Sequence, residues 1–105
     1  MSDEEARKSQ MAEKEARERQ FEAQIRELNA KIDQLQAKLI EMKSEASKSP
    51  VEATVEDLRT RKRQLENKVE ELKNSSDSAW EELRSGVEKA YLDVTTAVEN
   101  ALSKF

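Results

Sequence analysis

From Phe21 onward the chain places an apolar residue at every third or fourth position: Phe21, Ile25, Leu28, Ile32, Leu35, Leu39, Met42 and Ala46, in alternating steps of four and three. Such a repeat keeps one stripe of a helix turned toward a partner helix. A strand has period two, and an unstructured chain has no reason to maintain the spacing. The seam stops at Ser44-Glu-Ala-Ser-Lys-Ser-Pro50. There Ser49 is suited to cap a helix, Pro50 to open it, and Glu52 falls three residues after the cap. A second seam follows in a different register: Val51, Val55, Leu58, Lys62, Leu65, Val69 and Leu72.

Asn74-Ser-Ser-Asp-Ser78 is a second break, with Ser78 and Glu81 spaced as a capping box. Beyond it, Trp80, Leu83, Val87, Ala90, Tyr91, Val94, Ala97, Val98, Ala101, Leu102 and Phe105 form a helical stripe wider than a two-stranded contact needs, which predicts burial against two neighbours or a broad surface. Leu92 falls outside that stripe. The expected fold is therefore all-α: a coiled-coil-type antiparallel helical hairpin of residues 21–47 and 50–74, plus a third amphipathic helix, 78–105, closing a three-helix bundle. Residues 1–20 have only two methionines, Met1 and Met11, and three alanines as apolar side chains, so they predict a charged extension, helical or frayed, held by pairs such as Glu4–Lys8, Glu13–Arg17 and Glu15–Arg19.

Folding the hairpin about Ser49-Pro50 pairs Ala46 with Val51, Met42 with Val55, Leu39 with Leu58, Ile32 with Leu65, Leu28 with Val69 and Ile25 with Leu72. One layer is mixed, with Lys62 opposite Leu35, which is tolerable if the ammonium reaches water. The same register brings Lys43 near Glu52 and Glu22 near Lys73. It gathers Lys31, Lys38, Arg61 and Lys68 on the other flank, where the aligned Glu81, Glu88 and Glu99 of the third helix are expected to answer them. The competing arrangement is a parallel homodimer through the first seam, favoured by Ile25 and Ile32 alternating with Leu28 and Leu35 but opposed by Lys38 facing Lys43 of the partner. Closure within one chain and closure by pairing two chains both satisfy the pattern.

The chemistry left open is narrow. Cysteine and histidine are absent, which removes disulfides, thiol nucleophiles, the usual general base and most zinc sites. The 23 acidic and 19 basic residues are mixed along the chain, unlike a nucleic-acid surface. The densest basic run, Arg59-Thr-Arg61-Lys62-Arg63, is splayed around a helix and flanked by Glu56, Asp57 and Glu66. Glu4-Glu5, Glu70-Glu71 and Glu81-Glu82 are adjacent on helices and do not converge. No enzyme, cofactor or metal is expected. With no apolar run long enough for a membrane span and a charged first twenty residues, the expected compartment is the cytoplasm.

The final stretch, Ser78-Ala-Trp-Glu-Glu-Leu-Arg-Ser-Gly-Val-Glu-Lys-Ala-Tyr through Ala101-Leu-Ser-Lys-Phe105, resembles the tails of small uncharacterised bacterial coiled-coil proteins with an apolipoprotein-like amphipathic C-terminal helix. That resemblance implies a structural or interaction protein, linked to stress or the envelope, and carries no catalytic residues. The functional expectation is a non-enzymatic module acting through self-association, as a homo-oligomer, or through docking of a partner helix. Its seam is Ile25, Leu28, Ile32, Leu35, Leu39, Leu58, Leu65, Trp80, Leu83, Val94 and Phe105. The alternatives are binding of a lipid or membrane surface through residues 78–105, which a net negative helix suits poorly, and a stress protectant that is disordered when hydrated.

Overall fold

A computed structural model describes residues 3–105, with side chains from residue 5 onward. Met1 and Ser2 of the expected extension, and the Glu4 side chain of the expected Glu4–Lys8 pair, lie outside the described residues. The chain forms three helices, α1 (Asp3–Glu41), α2 (Glu45–Lys73) and α3 (Asp77–Lys104). They pack up-down-up into an all-α three-helix bundle measuring 65 × 18 × 17 Å. At 1.5 Å per residue the 39-residue α1 alone spans about 58 Å, so it sets the length of the rod.

One apolar core runs along the bundle. Leu28, Ile32, Leu35, Leu58, Leu65, Trp80 and Val94 of the expected seam are buried, while Ile25, Leu39, Leu83 and Phe105 are half-buried against them. Phe21, Val51, Val55, Val69, Leu72, Val87, Val98 and Ala101 complete it. No polar or charged residue is buried in the described core. The breadth of the α3 stripe has the predicted cause, since α3 contacts both other helices, α2 more extensively than α1.

The first break is not at Pro50. α1 ends at Glu41, and α2 begins after Ser44, whose backbone is extended (φ −96°, ψ 130°) and whose carbonyl accepts from the Ser47 and Lys48 amides at 3.1 and 3.0 Å. Pro50 therefore lies inside α2, where it cannot donate to the Ala46 carbonyl one turn back. That loss falls in an exposed turn near the helix start, and Ala46, expected in the seam, is exposed as well. Closing the hairpin early leaves Val51 fully buried near the turn. A single methyl at Ala46 contributes little to any alternative seam.

The earlier turn also shifts the polar pairing. Val55 is buried in the core and Met42, in the loop, is half-buried against it. Lys62 donates to Asn29 Oδ1 at 2.8 Å and lies 3.5 Å from Glu66. Its ammonium thus meets Asn29 of α1 and not the level of Leu35, where the expected register placed it. Lys43 is in the loop and makes no ion pair with Glu52, whereas Lys73 meets Glu22 at 2.5 Å as expected.

The second break is also shifted. α3 is capped by Ser76 (φ −71°, ψ 162°), whose carbonyl accepts from Ala79 and Trp80, and not by Ser78. Glu81 turns to Arg84 instead of reaching back to a cap. Asn74 ends α2, its amide donating to Glu70.

Candidate interaction surfaces

The N-terminal part of α1 continues the helix past the last apolar seam residue, Phe21, and lies along the start of α3. One heptad before Phe21, Lys14 extends across the helix interface. Its ammonium is 2.7 Å from Asp77 Oδ1 and 5.7 Å from the centroid of the Trp80 ring. The Trp80 side chain is 94% buried under this polar cover, and its indole N–H has no partner. Arg17 reaches Glu88 at 3.6 Å, and Glu88 also accepts from Arg84, which donates two hydrogen bonds to Glu81. The acidic edge of α3 thus meets Arg17 and Arg84, and not the basic flank of the hairpin formed by Lys31, Lys38, Arg61 and Lys68.

These contacts shift the exposed charges. The hydrogen bond from Lys14 holds the Asp77 carboxyl below the usual carboxylate range, with the Lys14 charge adding to the effect. Hydrogen bonds from Arg84 to Glu81 raise the already high guanidinium value, and the Glu22 contact raises Lys73. A cleft of about 440 Å³ lies here, lined by Gln10, Lys14, Arg17, Asp77, Trp80 and Arg84 among others. Its cations already have carboxylate neighbours, so it presents a balanced polar surface and no concentrated field.

Further along the rod, a shallower groove of about 270 Å³ separates α1 from α3, bounded by Arg17, Phe21, Gln24, Glu88, Tyr91 and Leu92. Phe21 is buried and Tyr91 half-buried, but Leu92 is 62% exposed. Gln24 Oε1 and Thr95 Oγ1 are buried without hydrogen-bond partners on this side of the bundle. An orphaned buried polar atom costs about 1–3 kcal/mol, and α3 packs less extensively against α1 than against α2. Leu92 lies off the helical stripe of the sequence, but the groove beside it is not legible there, because it arises only when α1 and α3 are placed side by side.

The basic run is dispersed as its helical spacing requires. Arg59 pairs with Asp33 at 2.9 Å and also bonds Gln36, Arg61 pairs with Asp57 at 2.8 Å, and Lys62 turns to Asn29. Among the described residues, no group of three Asp or Glu side chains is gathered as a metal ion would need, and no helix is long and apolar enough to cross a membrane. The remaining large exposed apolar side chains are Met11 and Ile40, at 59% and 85%. No protein-family model matches the chain, and no curated protein or solved structure is significantly similar to it.

Proposed function

We propose that the protein is a non-enzymatic, cytoplasmic interaction module that works by side-on docking of helices, either its own in another copy or those of a partner protein. The observation that carries this reading is the α1–α3 groove, where exposed Leu92 stands beside Phe21 and Tyr91 on the least extensively packed side of the rod. A helix laid into such a groove reads apolar anchors at helical spacing and takes its orientation from the flanking charges. The seam residues from Ile25 to Phe105 then serve the role indirectly, by holding α1 and α3 at the spacing that makes the groove.

Lipid binding through α3 is less well supported. Trp80, Val87, Val94, Val98 and Ala101 are buried in the core, so the helix would have to leave the bundle to present them. Liposome flotation with Trp80 emission separates the two readings, and the docking reading expects no flotation and no blue shift. The reading itself is tested by solution mass from light scattering together with capture of partners on immobilised protein, each repeated with Leu92→Glu. Self-association or capture that weakens in the variant supports it. A monomer with no capture that depends on Leu92 removes it.

A further inference from the structure

Two rows of charge border the α1–α3 groove, and they differ in sign. On α1, Arg17, Gln24, Lys31 and Lys38 follow one another at seven-residue intervals and so share a stripe. On α3, Glu81, Glu88, Leu92, Thr95 and Glu99 recur at intervals of seven, four, three and four, which is again one stripe. The Arg17–Glu88 pair fixes how the two rows lie against each other, with both helices running the same way. From that pair Lys31 is about 21 Å further along α1, and Glu99 about 17 Å further along α3. Arg17, Glu81 and Glu88 have ion-pair partners within the chain. Lys31, Lys38 and Glu99 form no ion pair among the described residues, although Lys31 and Lys38 are half-buried.

We infer that a second copy of the chain occupies this groove, side by side and parallel, with the basic α1 edge of each copy against the acidic α3 edge of the other. This rests on the docking reading above and names the occupant. A two-fold axis along the rod sets Lys31 at nearly the height of Glu99 in the neighbour, and brings Leu92 of each copy to the Gln24 and Phe21 edge of the other. A two-fold axis across the rod would set α3 against α3. The Glu81, Glu88 and Glu99 rows would then face each other, a like-charge contact that disfavours that geometry. Self-complementary edges of this kind are what a closed two-fold dimer requires.

Light scattering and sedimentation on the full chain test the inference, with helicity followed by circular dichroism to confirm that each variant folds. The expected result is a wild-type dimer whose dissociation constant rises roughly tenfold or more in Leu92→Glu, which places a charge at the centre of the contact. Glu99→Lys should weaken the dimer by itself, and Lys31→Glu in the same chain should restore it. The chain has no cysteine, so mixing Leu92→Cys protein with Gln24→Cys protein adds a readout of direction. A 24–92 disulfide between chains is expected, and its absence under oxidising conditions in a mixed dimer overturns the proposal. A wild-type dimer indifferent to both Leu92→Glu and Glu99→Lys overturns this face while leaving the docking reading in place. A wild-type monomer at every concentration overturns the second copy as occupant, and leaves the docking reading to the capture experiment.

Discussion

Gly86 is exposed in the middle of α3, its backbone is helical, and a Cβ built there meets nothing within 4 Å. No turn or close approach needs a glycine at this point. Gly86→Ala should therefore stabilise the protein by about 0.5–1 kcal/mol, read as a higher denaturant midpoint with an unchanged slope. Leu35 and Leu65 are the opposite case. Each is 1% exposed, and Leu35→Asp or Leu65→Asp would bury a carboxylate without a partner, which should lower stability by about 3–5 kcal/mol. Thermal melting that leaves either variant unchanged would contradict the core described here. These residues were legible in the sequence because the heptad spacing alone decides which side of a helix they occupy. Lys14 and Arg17 were not. They sit in a stretch with almost nothing to bury, and their partners Asp77 and Glu88 are on another helix, so only the packed structure brings them together. One available signal was that Lys14 lies a heptad before Phe21, in line with the seam.

At the level of elements, the sequence marked the number of helices more reliably than their ends. Ser49-Pro50 is a strong opening signal by local rules, yet α2 starts at Glu45 and carries Pro50 within it. Local rules weigh the missing amide of proline but not the burial of Val51 beside a short loop, and that tertiary term decides the boundary. Pro50→Ala should restore the bond to the Ala46 carbonyl. It also loosens the unfolded chain, so the net gain should be about 2 kcal/mol, measured by chemical denaturation. No gain would mean that the turn from Glu45 to Ser49 contributes no helix to the folded state.

Charge contacts between elements give a pH dependence whose sign follows from the shifts. Asp77 is depressed by Lys14, so its contribution is complete above the unfolded value of about 3.9 and is lost as pH falls through the lower folded value. Lys73 is raised by Glu22, so its contribution is complete below the ordinary lysine value and is lost as pH rises through the higher folded one. Acid titration of Trp80 emission should show a step below the ordinary aspartate range that disappears in Asp77→Asn. A step that survives in the variant would assign it to another carboxylate.

At the scale of the whole molecule, the rod is built unevenly along its length. From Phe21 to Leu39 on α1, apolar layers close against α2 and α3, while the first part of α1 is held to α3 by ion pairs and a cation over an aromatic ring. Exposed ion pairs contribute little and weaken with salt, whereas the layered part depends on burial and does not. The only tryptophan of the chain stands at the weaker end, under Lys14. The fold therefore contains a local optical probe that reports one end of the rod, while far-ultraviolet dichroism reports all of it. On denaturation in high salt the emission change should precede the loss of helix, so two probes that would coincide in a uniformly cooperative bundle should separate here. What the sequence presents as a single charged extension should thus act as a latch that opens before the rest of the rod melts.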